Sequence, residues 1–410
     1  MTKNIDSLTD PSQLLELAEE LEDNDQLTEA LQAVEKAIKL DPQNGKAWCS
    51  KASILQDMDQ PGEAFRVLTQ ACKDLPNNLD CLFNLGAFLS EHGNVSQACG
   101  CFDKINKLDP NYPKIKVHLG NAFLKLALWP QAIECLGEAL QTELGPMDKA
   151  RVLNHIGEAH MNNLDPEKPE ENKRELEKAK EYFDQSLELN PDDYIPVGNM
   201  AMTFCRLGEP EAALKVLEPA LAKFPTQARL YVMQGITLSL IEGRQKEALA
   251  AFDKAIELAP DNPDLWFHKA HYYVRRQDFG QAAEIFEEGL RKHPESGELH
   301  LQYGSLLRHM QRIPESVQHH RQGLKLLGRL VHWGFFFVDE NNKPVEGTNI
   351  AIESDRLIPR EKIAEQYFKQ LQAQGHTVDK DGKVDGKYRV GMTEVPEERL
   401  TYSENLRELK

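Results

Sequence analysis

At 410 residues the chain is longer than one hydrophobic core organises, so several domains or a repeat array are expected. Its 66 Asp and Glu against 48 Lys and Arg give a net charge of −18, which argues against a broad phosphate-neutralising surface and hence against nucleic acid as a partner. No apolar run approaches the roughly 18 residues that span a bilayer, and Met1 to Asp6 lacks the apolar core of a secretory signal, so a cytoplasmic protein is expected.

Residues 1–10 read as a disordered tail, and Asp10-Pro11 opens the first helix with a capping carboxylate followed by proline at the first helical position. From there the chain repeats itself. Pro42, Pro76 and Pro110 close apolar stretches built on Ala30-Val34-Ala37, Ala64-Leu68-Ala71 and Ala98-Phe102-Ile105. Upstream of each lies a second helical pattern in which a bulky residue precedes a small one: Trp48 with Ala52, Leu82-Leu85-Gly86, Leu119-Gly120-Phe123. The register returns as Met200-Ala201 with Ala213, Leu217 and Ala220, as Tyr231-Gly235 with Ala248, Phe252 and Ala255, and as Trp266-Ala270 with Ala282, Phe286 and Gly289. Two helices approach closely only where one presents Gly or Ala, and bulky residues fill the space between successive pairs. A single pair cannot bury its apolar face, whereas a stack can.

Nine such units span 11–330: 11–44, 45–78, 79–112, 113–149, 150–193, 194–227, 228–262, 263–296 and 297–330. The fourth runs long and places its closing proline late, at Pro146. The fifth carries an insertion near 164–173 between its helices. The ninth has Ser316, His320 and Gly323 at the packing positions and no closing proline, so it must pack on something other than a tenth copy.

Composition shifts near Gly328 toward a small α+β module over 331–395, followed by a charged tail over 396–410. Val331 to Val338 is aromatic and β-prone, apolar on both alternating faces, and reads as a strand buried on two sides. Pro344 to Ile352 can return as its partner, Pro359 to Gln374 reads as a helix bearing Ile363, Tyr367, Phe368 and Leu371, and Lys387 to Val395 reads as a further strand. Trp333 and Phe335 to Phe337 are expected to dock on the ninth unit and cap it. The seven cysteines follow no framework spacing and read as reduced thiols. No Gly-rich phosphate loop, nucleophile elbow or His-Glu-x-x-His occurs, so neither catalysis nor a cofactor or metal is expected.

The repeated pattern over 11–330 resembles the tetratricopeptide repeat, which implies a mainly α, right-handed α-solenoid of about nine helical hairpins. In that family the first helix of each hairpin lines a concave groove that holds peptides. The resemblance therefore implies a scaffold or adaptor that binds an extended segment of another protein. The alternative is an assembly subunit in which the array is architecture and the C-terminal module makes the decisive contact. Along the implied groove, one position reads Ser50, Asn84, His118, His155, Asn199, Met233, His268 and Gln302, joined by Asn121, Asn154 and His271. Uncharged donor-acceptor side chains in series suit a peptide backbone, and they resemble the asparagine ladder in the repeats of the O-linked N-acetylglucosamine transferase. Lys114, Arg151 and Arg229 occupy equivalent edge positions and, with Arg206, suggest a basic strip for an acidic or carboxylate-bearing segment. A chaperone-tail clamp is incomplete, because Cys49 and Ser53 stand where Lys and Asn would be required.

Overall fold

The computed structural model describes residues 5–112, 114–338, 350–356, 358, 360–379, 383–385, 387–394, 400–402 and 407–409. They form two compact units, residues 1–225 and 226–410. In the first, six helix pairs follow one another: α1 (Pro11–Asp23) with α2 (Leu27–Leu40), α3 (Gly45–Asp57) with α4 (Pro61–Asp74), α5 (Leu79–Glu91) with α6 (Val95–Leu108), α7 (Ile115–Lys125) with α8 (Trp129–Ala139), α9 (Pro146–Asn162) with α10 (Pro169–Leu189), and α11 (Tyr194–Leu207) with α12 (Pro210–Lys223). The second unit opens with three more: α13 (Ala228–Ser239) with α14 (Gln245–Leu258), α15 (Asp264–Arg275) with α16 (Phe279–Lys292), and α17 (Gly297–His309) with α18 (Ile313–Leu326). Among the described residues no helix is long and apolar enough to cross a membrane.

One device makes the turn inside eight of these pairs. Asp25, Asp59, Gly93, Ala127, Gly208, Gly243, Gln277 and Gln311 each adopt a left-handed φ between 55° and 82°. In all of these but the Gly243 turn, the next residue's N–H then reaches back across the helix end, as Gln60 N does to Leu55 O at 2.8 Å and Leu128 N to Phe123 O at 2.9 Å. This left-handed cap satisfies carbonyls that the helix end leaves unpaired. The remaining pair, α9 and α10, is joined instead by the inserted residues 163–168.

Small residues set the spacing within each pair. A Cβ placed on Gly157 would lie 2.6 Å from the Phe183 ring, and one on Gly235 would lie 2.8 Å from Phe252. Phe183 and Phe252 are themselves 0% and 2% exposed. Within each unit, many contacts between pairs run from the second helix of one to the first helix of the next. Leu31 packs with Ala52 and Leu55, Phe65 stacks on Phe88 at 5.9 Å, and Lys51 meets Glu35 at 2.7 Å. In the second unit Lys269 meets Asp253 at 2.6 Å, and the Tyr303 hydroxyl donates to Glu287 at 2.6 Å.

Two boundaries differ from the sequence reading. Residues 1–4 lie outside the described residues, but Ile5–Ser7 is a helical turn rather than disordered tail. Ile5 and Leu8 pack on the α1–α2 core, and Lys36 Nζ donates to Ile5 O and Asp6 O, each at 2.9 Å. Pro146 does not close the fourth unit; it begins α9, where its missing N–H costs nothing.

The module comprises β1 (Leu330–Val338), β2 (Ile350–Asp355), α19 (Arg360–Ala373), β3 (Lys383–Val384), β4 (Tyr388–Glu394), β5 (Leu400–Tyr402) and β6 (Arg407–Leu409). An antiparallel sheet runs β2-β1-β4-β3, with Trp333 opposite both Ile352 and Glu394. Residues 344–349 of the expected return strand lie outside the described residues, and the strand runs on to Asp355. The stretch expected as a charged tail contains the β5–β6 pair.

The expected aromatic cap is overturned. Val331, Trp333, Phe335 and Phe337 share one face of β1 and are buried against Ile363, Tyr367 and Leu371 of α19 and against Val384. Phe335 stacks on Tyr367 at 4.3 Å. Alternation places these side chains on the helix-covered face, so they form the module's own core. The side chain of Phe336 lies outside the described ones. Charge makes the link to the ninth pair instead: Arg321 meets Glu353 at 3.2 Å, and Arg329 pairs with Asp355.

Candidate functional site

In the first unit, α5, α7, α9 and α11 carry Asn84, His118, His155 and Asn199 at corresponding points. Asn84 is half-buried and donates from Nδ2 to Asp80 O at 2.9 Å, leaving Oδ1 as an acceptor. His118 sets its ring edge against Phe83 at 4.8 Å. Burial, and secondarily the Lys114 charge, pushes its pKa below the ordinary imidazole range. Burial followed by Arg151 does the same for His155. Both rings are therefore neutral near pH 7, each with one donor and one acceptor nitrogen. His155 Nδ1 and Asn121 Oδ1 are enclosed and have no hydrogen-bond partner among the described residues. Buried polar atoms are nearly always satisfied, so two orphans on neighbouring first helices are informative.

Asn154 and Asn199 serve a different purpose from the one expected. Each is 6% exposed, and Asn199 Nδ2 donates to Asn154 Oδ1 at 3.1 Å. They tie α11 to α9. Arg206 reinforces the same junction, donating to Met161 O and to Asn162 Oδ1; its pKa is lowered by burial. Asn199→Ala is expected to cost about 1–3 kcal/mol, because it strands the Asn154 amide in the interior. The Asn154→Leu/Asn199→Leu pair should cost less than the sum of the single changes. Additive losses in a urea-denaturation cycle would refute the pairing.

One carboxylate opposes part of the basic strip. Lys114 meets Asp148 at 2.6 Å, and Arg151 pairs with the same carboxylate. The two cations hold the Asp148 carboxyl below its usual range, through hydrogen bonds from Lys114 first and Arg151 second. The sequence reading missed Asp148, although its i,i+3 spacing to Arg151 is a helix-pair signal. Lys114 itself takes a left-handed φ of 56° at the start of α7.

The second unit presents a related set on α13, α15 and α17. His268 and His271 flank Phe267, with ring centroids 5.5 and 5.6 Å away. Burial lowers the pKa of both. For His268 the Asp264 charge opposes the shift, while His271 and then Arg229 add to it. Arg229 is exposed.

The depressed imidazoles carry a pH signature. Below the ordinary value of about 6.5 the unfolded chain takes up protons that folded His118 and His155 refuse. Stability is therefore fully present above that value and is lost as pH falls through the lower folded values. The denaturation midpoint should drop between about pH 7.5 and about pH 5.5, and His155→Gln should flatten the drop. An unchanged slope in that variant would show that His155 is not held neutral.

Comparison with known proteins agrees with the hairpin geometry. Sequence models of the tetratricopeptide repeat match residues 14–44, 171–193, 199–263 and 239–301. The chain carries tetratricopeptide repeats. It is 24% identical over 280 residues to the human protein O-mannosyl-transferase TMTC3, which covers 65% of this chain and 28% of that protein. It is 25% identical over 209 residues to cellulose synthase operon protein C of Pseudomonas fluorescens, covering 50% and 16%. The photosystem I assembly protein Ycf3 of Rippkaea orientalis is 30% identical over 141 residues, covering 33% and 60%. The chain thus spans less than two thirds of each of these relatives. Among solved structures, a tetratricopeptide repeat protein from Parabacteroides merdae aligns with a TM-score of 0.49 at 16% identity, covering 63% of this chain and 97% of that one.

Proposed function

We propose that the chain is a non-catalytic interaction scaffold whose first helices, α5 to α9, hold an extended peptide segment of a partner protein. The observation that carries this reading is the series Asn84, His118, Asn121 and His155, uncharged and half-buried on neighbouring first helices. A peptide backbone offers N–H and C=O groups at regular intervals and would satisfy such a series whatever its side chains. Asp148 offsets only one of the two charges of Lys114 and Arg151, so this edge stays net positive and would still suit an acidic or carboxylate-bearing segment.

The test is a phage-displayed peptide selection on the full chain, followed by titration of a selected peptide. Each hydrogen bond contributes about 0.5–1.5 kcal/mol, so the combined Asn84→Ala/His118→Ala/Asn121→Ala variant should weaken binding by at least about tenfold. Thermal melting of that variant should stay close to that of the parent. Backbone N-methylation of the peptide should abolish binding more effectively than shuffling its side chains. Unchanged affinity in the triple variant would rule the reading out.

A further inference from the structure

We propose that the exposed edge of α18 is a docking site for an acidic amphipathic helix of a partner protein. The edge is defined by Ile313 and Val317, which are 47% and 55% exposed. One repeat earlier the matching residues are covered. Ala283 is 6% exposed, and Phe279 packs into the cluster that includes Leu299, Leu306 and Leu307 of α17. In the first unit the same position is filled by Leu31, packed with Ala52 and Leu55, and by Phe65, which stacks on Phe88 while staying 38% exposed. Each time, what covers this position is the first helix of the next pair. The position is shaped to receive a helix, and no helix among the described residues follows α18 in that role.

Charge identifies the kind of helix. At three junctions where a helix does follow, the second helix of the pair supplies an acid and the incoming helix supplies the donor: Glu35 to Lys51, Asp253 to Lys269, Glu287 to Tyr303. In α18 the residue at that place is Arg321, so the polarity is reversed. Glu353 of the module meets Arg321 at 3.2 Å, so this place already holds one carboxylate of the chain itself. Lys325, one turn further on, has no ion pair among the described residues. A cleft of about 470 Å³ runs along this edge, lined by Pro314, Val317, His319, Arg321, Gln322 and Lys325. Pro314 and Val317 give this cleft of mainly polar residues an apolar patch and Lys325 a cation at its side, which fit a helix with a stripe of Leu or Ala flanked by Asp or Glu.

The experiment uses the full chain and two fluorescent, hydrocarbon-stapled helices of about 18 residues, or five turns. One carries leucines along one stripe with glutamates beside it; the other has lysines in place of the glutamates. Fluorescence anisotropy should show the acidic helix binding at least about tenfold more tightly than the basic one. Val317→Asp and Lys325→Glu should each reduce that binding by about three- to tenfold or more, with circular dichroism melting unchanged because both side chains are exposed. Equal binding of the two helices, binding of neither, or full affinity in Val317→Asp would overturn the proposal. Sedimentation that reveals self-association of the parent, abolished by Val317→Asp, would assign the edge to a second copy of the chain and overturn the partner-helix assignment. Loss of peptide binding in the first-unit triple variant bears on neither outcome, since it concerns a different surface.

Discussion

Phe183→Ala is expected to destabilise the first unit by about 3–5 kcal/mol, the range for truncating a fully buried aromatic side chain. Phe183 is 0% exposed. It sits directly over Gly157, where no side chain exists to relax into the space that the ring vacates. Its neighbours Met161, Leu176, Ala179 and Met200 come from three helices, α9, α10 and α11, so the lost contacts couple the fifth pair to the sixth. In a stack governed by nearest-neighbour terms the damage should stay local. Hydrogen exchange should therefore rise in α9 to α12 while α1 to α4 keep their protection. Restoring volume from the opposite side, with Gly157→Leu in the Phe183→Ala background, should recover part of the loss. Gly157→Leu alone should be harmful, because its Cβ alone would lie 2.6 Å from the ring. A loss below about 1.5 kcal/mol, or deprotection spread evenly through the unit, would refute this account of the packing.

Much of this architecture was legible in the sequence because the repeat imposes steric constraints that recur. Gly or Ala opposite Phe or Leu, and proline after the second helix, follow from close packing and from proline's missing donor, and both can be read without coordinates. The left-handed turn was less visible. Gly93, Gly208 and Gly243 advertise it, but Ala127, Gln277 and Gln311 adopt the same conformation under tertiary constraint. Within the candidate site, position on the first helices was readable and partnership was not. Asn199 and Asn84 look alike in sequence, yet one is locked to Asn154 and the other keeps an acceptor oxygen. Asp148 offsets one of the two charges of Lys114 and Arg151, which a position-by-position reading presents as an unopposed basic strip. In each case the decisive fact is a contact between residues from different helices or turns, which a position-by-position pattern does not encode.

The fate of the aromatic strand separates a cap from an independent core. Phe335→Ala removes a side chain that is 0% exposed and stacked on Tyr367, at an expected cost of about 3–5 kcal/mol to the module. If β1 capped the ninth pair through its aromatic face, α17 and α18 would lose protection together with the sheet. The observed packing leads to the opposite result. The aromatic face is spent on α19, and the ninth pair is held to the sheet by Arg321 with Glu353 and Arg329 with Asp355. Such partly exposed ion pairs contribute little stability, about 0–1 kcal/mol each. The ninth pair has its own reasons to stay folded. Ser316 Oγ donates to Gly304 O at 2.7 Å where the other pairs place Ala, and Leu307 and Leu299 bury themselves against Phe286 and Ile285 of α16. Phe335→Ala should therefore raise hydrogen exchange across 330–338 and 360–373 while α15 to α18 keep theirs. Simultaneous loss in α17 and α18 would restore the capping role to β1. Retention would leave the edge of α18 bordered by the module but not covered by it, which is the condition that docking of a partner helix on Ile313 and Val317 requires.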